Sequence, residues 1–91
     1  MELHGRVALV TGGAGGIGGA VARRLANAGL SGMVVNYRSS EKEAEALVTE
    51  IESHGVKAVA IRADIKSDDE IRLMVSRIKD DFGRLDVLVN N

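Results

Sequence analysis

Residues 7–19 read VALVTGGAGGIGG, and the fold turns on how this stretch is read. Val7, Ala8, Leu9 and Val10 form a short, unbroken apolar run of the kind buried on both faces of a parallel sheet, which predicts a first strand over Arg6 to Val10. Six of the eight positions from Gly12 to Gly19 are then glycine, and a helical pattern, AVARRLANAG, follows at once. A strand, a glycine turn and a helix N-terminus in succession make a place to hold a phosphate. Glycine lets the backbone pass close to a ligand, and the first free N–H groups of the helix point at it with the positive end of the dipole behind them.

Outward from this unit the same grammar repeats. The first helix is expected from Gly16–Ile17 to just before Gly29, with Ile17, Val21 and Leu25 as its apolar stripe and Arg23 and Arg24 outside it. Gly18 and Ala22, one turn apart and small, would let it lie close to a sheet. Met33 to Asn36 is a second strand. Ser40-Glu41-Lys42-Glu43 has the form of a capping box, opening a helix with Ala44, Leu47, Val48 and Ile51 on one face and a stop at Gly55. Val56 to Arg62 is a third strand. Ser67-Asp68-Asp69-Glu70 is a second capping box, followed by Ile71, Met74, Val75 and Ile78 at helical spacing and by Gly83. Leu85 to Val89 is a fourth strand. The pattern βαβαβαβ implies an α/β fold with a parallel sheet, right-handed crossovers and strand order 3-2-1-4, the first half of a doubly wound nucleotide-binding domain. The glycine turn after strand 1 and Asn90–Asn91 after strand 4 would both line the crevice where the order reverses.

Composition narrows the classes. The chain has 91 residues, 45% hydrophobic and 27% charged, with a formal net charge of −1. That is an ordinary soluble domain without the basic footprint of a nucleic-acid binder. Cysteine is absent, which removes disulfides and thiolate metal sites. MELHGRVALV is not a signal peptide, and no apolar run approaches a membrane span, so a cytoplasmic protein is expected. His4 and His54 read as solvated surface residues. Phe82 continues the core stripe of the third helix, and packing is its expected role.

The glycines alone do not choose a pattern. Gly13-x-Gly15-x-x-Gly18 fits the general dinucleotide fingerprint, Thr11-Gly12-x-x-x-Gly16-x-Gly18 fits the short-chain dehydrogenase/reductase pattern, and Thr11-Gly12-x-x-Gly15-x-x-Gly18 fits the extended branch of that superfamily. A P-loop is excluded, because no Gly-Lys-Ser/Thr follows. The later strands separate the rest. With TGGAGGIG at 11–18, NYRSS at 36–40, AD-I at 63–65 and LDVLVNN at 85–91, the whole chain resembles the short-chain dehydrogenase/reductases, and among them the 3-oxoacyl-acyl-carrier-protein reductases and related ketoreductases. LDVLVNN resembles the start of the family's Asn-Asn-Ala-Gly motif and disfavours the extended branch.

The resemblance implies a dinucleotide cofactor. Thr11, Gly12, Gly13, Gly16, Ile17 and Gly18 would surround its pyrophosphate. An acidic residue at the end of strand 2 would favour NAD(H), but here Asn36-Tyr37-Arg38 brings no carboxylate before Glu41. Arg38 can hold a 2′-phosphate in a bidentate contact, with Ser39 or Ser40 adding a donor, so NADP(H) is expected; a solvated loop charge is the alternative for Arg38. Many NADP-preferring relatives carry a basic residue where this chain has Gly15, so a second contact of that kind is absent. Asp64 matches the family position that receives the adenine amino group, with Ile65 packing on the ring; from sequence alone it could equally be a helix-entry aspartate. Asn90 matches a position that contacts the cofactor and ties the strand ends together. Asn91 would line the same crevice, but as the last residue its backbone is expected to fray, and it is not counted among the cofactor contacts.

In this family a serine polarises the substrate carbonyl and a tyrosine, its pKa lowered by a lysine four positions on, donates the proton. Those residues lie beyond the matched region, and Tyr37 is followed four positions later by Glu41. Residues 1–91 are therefore expected to be a partial dinucleotide-binding domain without catalytic residues, from an NADP(H)-dependent oxidoreductase that reduces a ketone. Its expected partners are the cofactor, a small carbonyl substrate of the complete protein and further copies of itself, but no nucleic acid, membrane or metal. Strand 4 would be an open edge and favour self-association. A non-catalytic dinucleotide-binding module and a self-associating structural fragment are the alternatives.

Overall fold

A computed structural model of the chain describes residues 3–12 and 16–91. The elements run β1 (Val7–Thr11), α1 (Gly16–Ala26), β2 (Gly32–Tyr37), α2 (Glu41–Glu52), β3 (Lys57–Arg62), α3 (Asp68–Phe82) and β4 (Val87–Asn90). The four strands are parallel, in the order β3-β2-β1-β4. This is the doubly wound, Rossmann-like arrangement expected, with strand ends shifted by one or two residues. No helix among the described residues is long and apolar enough to cross a membrane.

The period of two along each strand sorts the core into two layers. Ala8, Val10, Met33, Val35 and Tyr37 face one way and are covered by Ala22, Leu25 and Ala26 of α1 and by Ala44, Leu47, Val48 and Ile51 of α2. Leu9, Val34, Ile61 and Ala63 face the other way, where Met74 and Ile78 of α3 cover them. β1 and β2 are buried throughout, as strands with helices on both sides must be.

Four local expectations are corrected. The buried face of α1 is Gly18, Gly19, Ala22, Leu25 and Ala26, not the stripe through Ile17, which is 75% exposed. The small residues set the closest approach to the sheet, and the helix turns on them rather than on its larger side chains. At α2, Ser40 makes no side-chain cap bond. Its φ of −93° and ψ of 60° lie outside the extended conformation a capping serine needs, and only its carbonyl engages the helix, accepting the Ala44 N–H at 3.0 Å. At α3 half of the box forms: Ser67 Oγ accepts the Glu70 N–H at 3.3 Å, but the Glu70 side chain does not return to Ser67. On the same helix Met74 and Ile78 are buried whereas Val75, of the same predicted stripe, is 44% exposed. His4 is exposed as expected, with its ring against Gly29. Phe82 packs as expected, its ring over Gly32.

Candidate cofactor-binding site

The carboxyl ends of all four strands lie on one edge of the sheet, and the candidate residues among those described gather there. At its centre Thr11 ends β1 beside Asn90 of β4. The buried Thr11 hydroxyl lies 3.1 Å from Asn90 Oδ1 and 3.3 Å from the Val89 carbonyl, with one proton to share between them. It also accepts the Asn91 N–H at 3.1 Å, and Asn91 Nδ2 donates to the Gly12 carbonyl at 3.1 Å. Asn91, expected to fray, is instead bonded to Thr11 and Gly12 and helps to fix where the glycine turn leaves the sheet.

Gly12 and Gly16, which flank that turn, have φ of +59° and +56°. Side chains strongly disfavour this region, so the path of the turn requires glycine at both. A Cβ on Gly16 would meet no described atom within 4 Å. Gly13 lies outside the described residues. α1 carries no acidic residue in its first turn, so no carboxylate of that turn offsets the positive end of its dipole. Ile17 stands exposed beside it, while Gly18 is buried.

The second cluster follows β2 and β3. Arg38 and Ser39 are exposed just past β2, and Asp64 and Ile65 follow β3. Arg38 Nε lies 3.9 Å from Asp64 Oδ2, with the guanidinium side chain 69% exposed. Asp64 Oδ1 accepts the Lys66 N–H at 2.9 Å, so the helix-entry role and an outward-facing oxygen coexist in one carboxylate. Ile65 is 44% exposed and lines a cleft of about 290 Å³ with Leu9, Thr11, Ile71, Leu88 and Asn90.

The buried Asn36 holds these two strand ends together. Its Nδ2 donates to the carbonyls of Ala63 at 3.1 Å and Ile61 at 3.3 Å, and Ala63 N–H reaches the Tyr37 carbonyl at 2.9 Å. The sequence signal for this brace was a lone amide at the end of a buried apolar strand. Tyr37 is buried, and its hydroxyl donates to Glu41 Oε2 at 3.1 Å. Burial and then the Glu41 carboxylate raise its pKa, the opposite of what a proton-donating tyrosine beside a lysine requires.

The residues present fit a dinucleotide: left-handed glycines and a helix start without an acidic first turn at one end, an exposed guanidinium and a half-buried carboxylate at the other, and exposed Ile17 and Ile65. No group of acidic or histidine side chains among the described residues could hold a metal ion.

The family model of the short chain dehydrogenases matches residues 6–91. The chain belongs to that family of oxidoreductases. Among individual relatives, it is 46% identical over 84 residues to a 3-oxoacyl-[acyl-carrier-protein] reductase of Staphylococcus aureus, covering 92% of this chain and 34% of the relative. It is 48% identical over 90 residues to an uncharacterized oxidoreductase of Methylorubrum extorquens, covering 99% and 36%. A Burkholderia cenocepacia short chain dehydrogenase solved in complex with NADP superposes with a TM-score of 0.93 at 45% identity, over 100% of this chain and 37% of that one. The chain therefore spans about a third of the length of the relatives it matches.

Proposed function

We propose that residues 1–91 are the cofactor-binding part of an NADP(H)-dependent reductase acting on a ketone, with a 3-oxoacyl thioester as the leading substrate class. The observation that carries the cofactor assignment is the meeting of Arg38 and Asp64, 3.9 Å apart, on the same sheet edge as the glycine turn. In this reading the backbone N–H groups at the start of α1 hold the pyrophosphate, with Thr11, Gly12, Gly13, Gly16, Ile17 and Gly18 shaping the turn around it. Arg38 turns from Asp64 to the 2′-phosphate, with Ser39 adding a donor, and Asp64 Oδ2 then accepts from the adenine amino group while Ile65 packs on the ring. Asn90 keeps the strand-4 end beside Thr11 and close to the cofactor. The cofactor supplies a hydride when bound. These residues bind and orient it, and turnover belongs to residues beyond those matched here.

The 3-oxoacyl-[acyl-carrier-protein] reductase relative and the NADP complex support this reading, as does a second Burkholderia cenocepacia dehydrogenase with bound NADP, at 30% identity and a TM-score of 0.93. The test is calorimetric titration of NADPH and NADH into the chain and its Arg38→Ala variant. The chain should prefer NADPH, and Arg38→Ala should weaken NADPH by about tenfold while leaving NADH unchanged, the size expected of one exposed charge-assisted contact. Equal affinity for the two cofactors in both proteins would sink the proposal.

A further inference from the structure

We propose that Glu70, on the first turn of α3, is a positioning residue for adenine recognition, holding Asp64 so that its free carboxylate oxygen faces the ligand. The inference rests on the cofactor reading above. Glu70 Oε1 accepts the backbone N–H of Asp64 at 3.0 Å, and Arg62 Nη1 donates to the same oxygen at 2.9 Å. The Asp64 carbonyl in turn accepts the Ser67 N–H at 2.9 Å. That bond occupies the Ser67 donor a capping glutamate would otherwise take, and the Glu70 side chain reaches past it to Asp64.

Asp64 is thereby gripped at its N–H by the first turn of α3, at its carbonyl by the N-cap Ser67, and at Oδ1 by the Lys66 N–H. Only Oδ2 points away from this network, toward Arg38. Arg62 closes the grip from the other side, because it ends β3 and binds the same carboxylate oxygen. The segment between β3 and α3 is thus fixed at its start by β3 and at its end by the helix, with Glu70 joining the two. Asp68 and Asp69 share the first turn and favour the helix dipole equally well. A dipole role alone would leave no reason for Glu70 to touch Asp64.

The experiment compares NADP+ with its hypoxanthine analogue, which lacks the exocyclic amino group that Asp64 would accept from. Affinities are measured on the chain and on Glu70→Ala, Glu70→Met and Glu70→Gln. Amide hydrogen exchange at Asp64 is followed in the cofactor-free proteins. The parent chain should prefer NADP+ by about fivefold, the worth of one net hydrogen bond. Glu70→Ala and Glu70→Met lose the acceptor, so the preference should fall to near unity and Asp64 exchange should quicken by about fivefold. Glu70→Gln keeps an accepting oxygen and should retain both properties. Undiminished preference in Glu70→Ala or Glu70→Met overturns the proposal, as does loss of preference in Glu70→Gln equal to that in Glu70→Ala. The methionine variant keeps the test open if the alanine variant does not fold. A parent chain that binds both ligands equally would remove the cofactor reading of Asp64 and this inference with it. Unchanged Asp64 exchange in Glu70→Ala and Glu70→Met would refute the positioning alone.

Discussion

The two ends of the sheet are built on opposite plans. At the amino ends of the strands, polar groups are used up within the chain. Asp86 accepts the Val7 N–H at 2.8 Å and returns its own N–H to the Val7 carbonyl at 2.9 Å, while both its oxygens receive Arg84 at 2.7 Å. Lys57 donates to the Asp81 carbonyl at 2.7 Å and sits 4.6 Å over the Phe82 ring, which itself lies on Gly32. At the carboxyl ends the backbone is equally well fixed, by Thr11, Asn36 and Asn91, but the side chains around it remain open. Arg38 and Ile17 are the extreme cases, at 69% and 75% exposure. Parallel α/β sheets place ligands at the carboxyl ends because helix N-termini and loops converge there. Here the same division separates side chains bonded within the chain from side chains that stay largely exposed.

The division predicts that substitutions at one end change binding and those at the other change stability. The largest expected effect is at the carboxyl end. Gly16→Val places a branched side chain at φ +56°, where its Cβ meets no described atom within 4 Å; in the proposed site it would stand where the pyrophosphate approaches the helix N-terminus. Losing two charge-assisted backbone contacts should weaken NADPH by about 3 kcal/mol, roughly a hundredfold. The strain of a β-branched residue at this φ, about 1–3 kcal/mol, should lower the melting temperature, but the variant should still unfold in one cooperative transition above the titration temperature. NADPH binding within about threefold of the parent would break the comparison at this end.

Next in size is Gly32→Ala at the amino end. A Cβ there would lie 2.5 Å from Phe82 Cδ1 and Cε1, and 3.4 Å from Val7 Cγ2. The ring must leave its place under Lys57, a cost of about 1–3 kcal/mol typical of overpacking. Thermal melting should show the loss, whereas NADPH affinity measured well below the transition should stay within about twofold, since no candidate binding residue touches the ring. An unchanged melting temperature, or a selective loss of NADPH, would count against the division.

Much of this division was legible in the sequence, and its limits have physical causes. Strand order and the gathering of Thr11, Gly12, Gly16, Arg38, Asp64 and Asn90 on one edge follow from alternating periodicities and the handedness of crossovers, which are global constraints. Details that depend on a single torsion or a single neighbour were not legible. Ser40 and Ser67 open matching motifs, yet only Ser67 caps, because ψ differs: 60° against 115°. Ile17 fits a helical stripe by spacing, but the small Gly18 and Ala22 decide which face meets the sheet. Asn36 and Asp86 were missed because their partners are backbone groups, and no residue pattern announces which carbonyl or N–H a strand end will bring near. Asp86 pairs with Val7, 79 positions away in the chain.

That pairing gives the smallest expected effect and the most specific signature. Hydrogen bonds from Arg84, then from the Val7 N–H, hold the Asp86 carboxyl below its ordinary value, against the opposing effect of burial. A carboxyl whose folded pKa is depressed binds fewer protons than it does in the unfolded chain. Its contribution is therefore fully present above its unfolded pKa, near 4, and is lost as pH falls through the lower folded value. Asp86→Asn can still accept the Val7 N–H but offers Arg84 no charge. The variant should melt slightly below the parent at pH 7, and the gap should close as both are acidified below about pH 4. NADPH affinity at pH 7 should be unaffected, because Asp86 sits at the opposite end of β1 and β4 from the glycine turn. A melting gap that persists or widens in acid would mean that Asp86 acts through its shape and not its charge. A change in NADPH affinity would mean that the two ends of the sheet are coupled.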